Sequence, residues 1–238
     1  MNSGLSVKTS MPQVVILAGG LGTRLGQLTE STPKSLINVD NQPIITHILD
    51  WIASQGCDRA LLLTGHLGIM FEDYQHDGVE LTVVKEASPL GTGGALWNAV
   101  DNLEDEFILL WGDDFHPIDY HNLLQTHQNG QNLLTMTVTQ SHDTMNLQHE
   151  DGFVVQYDKS QSADFFNGYE AGTSVVSKRL VLLFGRDQQW SWENTVYPAL
   201  AGKIKAHYDD TKFWDMGTPE RLDKFCLLYT SPSPRDPH

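Results

Sequence analysis

The sequence reads as an α/β protein, a three-layer α/β/α domain with a mainly parallel central sheet. Two patterns predict this. Short apolar, β-branched runs recur through the first half, and helical stretches come between or after them. Size is the third observation: 238 residues with 40% hydrophobic content suffice for the core of one large domain.

Strands are expected at 13–18 (QVVILA), 59–64 (RALLLT), 79–84 (VELTVV) and 106–111 (EFILLW), with helices near 43–55, 66–75, 92–102 and 118–128. Such alternation needs crossovers, hence parallel neighbours, and ligands in these sheets sit at the carboxyl ends of strands. Beyond residue 130 the strands lengthen, at 131–140, 152–158 and 168–177. A helix near 178–185, a Trp-rich helix in WSWENTVYPALAG, a strand near 203–209 and a helix from 218 complete the reading. No linker or repeat divides the chain, so residues 11–225 read as one domain whose second half carries the substrate surface. The polar, aperiodic MNSGLSVKTS makes residues 1–10 an expected disordered extension. CLLYTSPSPRD resembles a sequencing adapter translated in frame, so 226–238 reads as a non-native tail on a chain cut near Phe225.

Composition narrows the function. A net charge of −15 repels polyanions, and no run of Lys and Arg offsets it, which excludes nucleic acid as a partner. An acidic protein that handles phosphates must concentrate its positive charge in one pocket, or hold divalent cations on its surplus carboxylates. Cys57 and Cys226 are too few for a disulfide framework or a zinc site, and Cys57 reads as a packing residue. No apolar run reaches the roughly 18 residues of a membrane span, and no signal pattern opens the chain, so a soluble, cytoplasmic protein is expected, with self-association left open.

The loop after the first strand, AGGLGTRLGQLTESTPK, lacks the Gly-Lys-Ser/Thr ending of a P-loop, and its glycines do not fit the dinucleotide spacing. What remains is a glycine turn whose N–H groups can approach phosphate oxygens, followed by Arg24 and, behind a proline, Lys34. Either cation alone would read as a solvated surface charge. Together, in so acidic a chain, they point to a polyphosphate.

The run LAGGLGTRLGQLTESTPKSLINVDNQPI resembles the signature of sugar-1-phosphate nucleotidyltransferases. KEASPLGTGGAL resembles that family's second glycine segment, in the form of its heptose- and mannose-1-phosphate guanylyltransferases, and FILLWGDDF and KFWDMGTPERL resemble its Gly-Asp and Asp-x-Gly-x-Pro motifs. One departure is Gln27, where the family commonly has proline in a loop-shaping position. The resemblance implies a Rossmann-like, glycosyltransferase-A-like fold and the joining of a nucleoside triphosphate to a sugar 1-phosphate with loss of pyrophosphate. It further implies Arg24 and Lys34 as catalytic residues, and Leu17, Ala18, Gly19, Gly20, Gly22, Thr23, Arg24, Glu86, Pro89, Gly91 and Thr92 as nucleotide-binding residues.

By the same resemblance Asp113 and Asp215 hold Mg²⁺, with Asp114 a weaker candidate. Both follow apolar stretches, and hard carboxylate oxygens are what Mg²⁺ prefers. Asp113 alone would read as a strand-end turn cap. On the sugar side, VVQYDKSQSADFFNGYEAGTSVV aligns Lys159 with a sugar-phosphate ligand and Glu170 with a hydroxyl acceptor, while Glu193 matches a recurrent glutamate near the site. Lys159 also fits a plain turn, and Glu193 a structural role. Trp190 and Trp192 read as core, His66 and His116 as structural. Rival readings are a uridylyl-, cytidylyl- or thymidylyltransferase, a silent regulatory relative, and a nucleotide-binding module without catalysis.

Overall fold

The computed structural model of the chain describes residues 10–20, 22–160 and 163–230, with side chains as far as Leu227. The expected extension over 1–10 lies outside these residues apart from Ser10, and so does the expected tail beyond Thr230.

Thirteen strands and six α-helices are formed among the described residues. The first half carries β1 (Gln13–Leu17), β2 (Asn38–Val39), β3 (Gln42–Pro43), α1 (Ile44–Ser54), β4 (Arg59–Thr64), β5 (Glu80–Lys85), α2 (Gly91–Asn98), β6 (Glu106–Trp111), β7 (Asp114–Phe115) and α3 (Tyr120–Gln128). The second carries β8 (Leu134–Thr139), β9 (Leu147–Glu150), β10 (Phe153–Tyr157), β11 (Tyr169–Ser177), α4 (Lys178–Phe184), α5 (Trp192–Ala199), β12 (Ile204–Tyr208), β13 (Trp214–Asp215) and α6 (Pro219–Thr230).

Nine strands form one sheet in the order β5-β4-β1-β6-β11-β8-β12-β10-β9. The pairs β5/β4, β4/β1, β1/β6 and β8/β12 are parallel, while β11 and β10 run against their neighbours. The sheet is therefore mixed but mainly parallel, as expected. Strand β1 shows how it acquires two covered faces. Val14 and Ile16 point into one core with Ile45, Ile48 and Leu49 of α1, and Val15 points into the other with Leu96 of α2 and Trp192 and Val196 of α5. Period-two alternation of wholly apolar residues is what a doubly covered strand requires.

Helix α1 follows Pro43, whose extended backbone (ψ 145°) starts the turn. Ile44, Ile45, Ile48, Leu49 and Ile52 recur at helical spacing and are buried, each worth about 1.5–3 kcal/mol on full burial. Gly56, at φ 82°, ends the helix in a left-handed turn.

Besides the two-residue strands β2, β3, β7 and β13, which no sequence pattern announces, two segments differ from expectation. In place of a helix over 66–75 there is one 3₁₀ turn, Gly68–Phe71. Gly65, Gly68 and a left-handed Leu67 (φ 58°) interrupt the helical path before Phe71 reaches the core. Strand β9 was unforeseen: only Leu147 of Leu-Gln-His-Glu is buried, so this edge strand has no apolar run to announce it.

The chain winds outward from β1 to β4 and β5, then returns to place β6 on β1's other flank. This reversal opens a crevice at the carboxyl ends of β1 and β6, where the glycine loop and the Gly112-Asp113 turn both emerge. No helix among the described residues is long and apolar enough to cross a membrane.

Candidate active site

The glycine loop is closed on itself. Gly22 takes a left-handed conformation (φ 62°), and the Thr29 hydroxyl donates to the carbonyls of Gly22 and Gly26 at 3.0 and 3.1 Å. Arg24 stands exposed on its rim, and Gln27 is exposed and lines neither cavity described below. Lys34 opens a short 3₁₀ turn after Pro33 and is 9% exposed. Its ammonium donates to Asp113 Oδ2, so the loop's second cation lies against the acidic residue past β6.

A two-stranded ladder builds the acidic centre. Strand β7 pairs antiparallel with β13, setting Asp114 directly opposite Asp215, and the Met216 N–H donates to the Asp113 carbonyl at 3.0 Å. Oxygens of Asp113, Asp114 and Asp215 all lie within 4.8 Å of one another. Like charges facing each other across a ladder repel. Burial, and then the charges of Asp113 and Asp215, push the Asp114 carboxyl well above the usual range. Lys34 on Asp113 and the Arg221 guanidinium on Asp215 offset part of the repulsion. The donor set, three carboxylates of which Asp114 has no ion pair among the described residues, fits a hard divalent ion. Asp114, the weaker sequence candidate, belongs to this group as fully as the other two.

Gly217 leaves room for Arg24 beside the ladder. Its N–H donates to Asp215 Oδ1 at 2.6 Å, and a Cβ there would come within 2.9 Å of the Arg24 guanidinium. Any larger residue in this Asp-x-Gly turn would displace the arginine.

A cavity of about 460 Å³ opens beside this centre. Leu17, Ala18, Gly19, Gly20, Gly22, Thr23 and Arg24 line one side. Glu86, Pro89, Gly91 and Thr92 line another, and Lys34, Asp113, Lys159 and Glu193 also face it. The second glycine segment starts α2, and Trp190 explains its composition: a Cβ on Gly93 would lie 2.3 Å from the indole. The Thr92 hydroxyl donates to Glu193 Oε2 at 2.6 Å and accepts from the Trp192 N–H at 2.8 Å, joining α2 to α5. Glu86 stands close to Gly19 and Gly65; its Oε2 accepts from the Leu90 N–H at 3.1 Å, and burial raises its pKa.

A second cavity, about 330 Å³, lies on the other side of the acidic centre and shares Arg24, Trp111, Asp113 and Lys159 with the first. Asp114, Glu170, Asp215 and Arg221 face it, with Asn146, Tyr169 and Phe213. Lys159 is no plain turn residue: its ammonium donates to Glu193 Oε1 at 3.0 Å. Burial would raise the Glu193 pKa, but Lys159 and the Thr92 hydroxyl overcome it and hold the carboxylate below its usual value. Glu170 is buried at the cavity wall; burial pushes its pKa up to about 7 against the opposing pull of Lys159.

The expected site residues thus divide between two adjoining cavities. Sequence reading missed Thr64, Gln189, Arg221, Tyr169 and Phe213. Thr64 ends β4 beside β1 and was findable from the strand-end rule. Gln189 sits in an irregular segment with no motif. Trp190, Trp192 and Cys57 are buried in the core, and burial pushes the Cys57 thiol up to about 12. His116 is buried, with Nε2 2.9 Å from the Thr211 carbonyl, and exposed His66 lines neither cavity.

Comparison with known proteins gives a consistent result. The chain is 31% identical over 228 residues to a mannose-1-phosphate guanylyltransferase of Mycobacterium tuberculosis, an alignment covering 89% of the chain and 63% of the relative. The chain therefore spans a little under two thirds of that protein's length. It is 27% identical to a D-glycero-alpha-D-manno-heptose 1-phosphate guanylyltransferase of Campylobacter jejuni, covering 90% of the chain and 99% of the relative. The crystal structure of HddC from Yersinia pseudotuberculosis superposes with a TM-score of 0.78 at 26% identity, covering 92% of this chain and 100% of that one. The nucleotidyl transferase family model matches residues 13–164, well over half of the sequence, and the chain belongs to that family.

Proposed function

We propose that the protein transfers a guanylyl group from GTP to a sugar 1-phosphate, heptose or mannose 1-phosphate, releasing pyrophosphate and forming a nucleotide sugar for surface polysaccharide or glycoconjugate synthesis in the cytoplasm. One observation carries the reading: two cavities, one walled by glycine segments and one by Glu170, Tyr169 and Asn146, share a boundary of Arg24, Trp111, Asp113 and Lys159. A phosphate from each side meets at that boundary.

The triphosphate lies in the larger cavity, where loop N–H groups and Arg24 take its phosphates and the base reaches Glu86. A carboxylate only accepts hydrogen bonds, and guanine offers adjacent ring and amino N–H donors, which supports GTP over the pyrimidine nucleotides. The sugar 1-phosphate lies in the second cavity, with its phosphate on Lys159 and its hydroxyls on Glu170. Glu193 orients Lys159 through their ion pair and ties it to Thr92 of α2.

The incoming phosphate oxygen attacks the α-phosphorus in line and pyrophosphate departs. The nucleophile is already an anion, so no general base is required, and catalysis consists of alignment and charge neutralisation. Lys34 steadies the α-phosphate and Arg24 the departing phosphates. Asp113, Asp215 and Asp114 hold Mg²⁺, which when bound withdraws charge from phosphate oxygens.

A pyrophosphate-release screen of GTP, UTP, CTP and dTTP against mannose, heptose and glucose 1-phosphates tests this. The highest kcat/KM is expected for GTP with mannose or heptose 1-phosphate. Preference for a pyrimidine nucleotide would overturn the base assignment, and no release with any pair would overturn the reaction.

A further inference from the structure

The loop between β8 and β9 overhangs the second cavity and is pinned at two points. His142 stacks face to face on Tyr169, with ring centroids 3.6 Å apart and planes inclined by 10°. Four residues on, buried Asn146 accepts the N–H of Glu170 at 3.0 Å. Both pins therefore bear on consecutive residues of β11. His142 is itself braced, since the Thr144 N–H donates to its Nδ1 at 3.2 Å. Between the pins, Thr144 and Met145 face the cavity. Phe213 completes the wall, 5.9 Å from Tyr169 and 6.2 Å from His142 between centroids.

The wall contrasts with the rest of the cavity. Cations and the acidic centre line the same cavity, with Phe213 close beside Asp114, but neither His142, Met145 nor Phe213 has a part in phosphate chemistry. A thioether and an aromatic face offer apolar contact to C–H groups, while the Thr144 hydroxyl is engaged with His142 Nδ1 at 3.2 Å. Such a surface reads the carbon skeleton of a ligand rather than its charge. The part of the sugar in which a heptose exceeds a hexose by one carbon is the exocyclic carbon chain, a piece of carbon skeleton of the kind this wall can contact.

We propose that the His142–Tyr169 stack is a positioning clamp that holds Thr144 and Met145 opposite Phe213, and that this wall selects among pyranosyl 1-phosphates by their exocyclic carbon chain. The inference rests on the transfer reaction proposed above. His142 acts through the loop and touches no reacting atom.

The test is steady-state kinetics with GTP and either mannose 1-phosphate or D-glycero-alpha-D-manno-heptose 1-phosphate. Losing the stack in His142→Ala shifts the kcat/KM ratio between the two sugars by about tenfold, the scale of one aromatic pair. The shift appears in the KM for sugar phosphate, with the KM for GTP unchanged. His142→Phe keeps a ring on Tyr169 and restores the wild-type ratio. Phe213→Leu leaves the clamp in place, reshapes the wall and moves the same ratio, so the proposal stays testable if His142→Ala does not fold. An unchanged ratio in folded His142→Ala, or no rescue by His142→Phe, overturns the clamp. An unchanged ratio in Phe213→Leu overturns the wall. Wild-type protein that releases no pyrophosphate with either sugar overturns the underlying reaction instead.

Discussion

Lys34 and Asp113 stand 79 residues apart in sequence, and their side chains form an ion pair at the mouth of the β1/β6 crevice. The pair joins the positive arm of the glycine loop to the acidic centre. It also sets the Lys34 side chain, at 9% exposure, against Asp113 on the wall of the larger cavity.

Removing that charge is expected to strike turnover rather than folding. Lys34→Ala should lower kcat by about 10²–10³, the usual cost of losing one preorganised stabiliser of transition-state charge. Asp113→Asn should abolish pyrophosphate release. Circular dichroism of both variants should match wild type, since neither residue belongs to the apolar clusters. Near-normal turnover in either variant would remove it from the site.

The packing of Gly93 on Trp190 has a separate consequence. Gly93→Ala forces a Cβ into the indole and should cost about 1–3 kcal/mol in urea unfolding, as overpacking does. Combined with Trp190→Leu, the substitution should cost less than it does alone. Purely additive effects in the double-mutant cycle would show that the indole does not set the requirement for glycine.

If Glu170 takes the sugar hydroxyls as proposed, sugar binding should depend on pH. The Glu170 pKa, raised from 4.5 to about 7, leaves the folded carboxyl protonated below neutrality and ionised above. Hydrogen bonds to a charged acceptor exceed neutral ones by about 1 kcal/mol, so KM for the sugar phosphate should fall about fivefold as pH rises through 7. Glu170→Gln should flatten this change. Stability runs the other way: between 4.5 and about 7 the folded chain holds a proton that the unfolded chain has lost, so Glu170's contribution decreases as pH rises. The stability difference between wild type and Glu170→Gln, measured across this window without added metal, should show that slope.

The legible parts of the sequence were those with local patterns. The strands β1, β4 and β6 carry apolar runs, and the glycine loop and the Asp-x-Gly turn keep their chemistry within a few residues. The β8–β9 loop could not be read, because its meaning depends on Tyr169 and Phe213, which arrive from β11 and from the segment before β13. Asp114 was undervalued for a similar reason. Its opposition to Asp215 is created by a two-residue ladder too short to leave a pattern. Edge strand β9, mostly polar, gave no periodic signal either.

In the proposed reaction, phosphates from the two cavities meet beside Asp113 and a nucleotidyl group passes between them. Phosphorus NMR of the protein with GTP, Mg²⁺ and either mannose or heptose 1-phosphate tests it directly. The account predicts equal growth of pyrophosphate and of a sugar-linked diphosphate, as GTP and sugar phosphate disappear together. Conversion of GTP to GDP and inorganic phosphate with the sugar phosphate untouched, or no change in any signal, would contradict it.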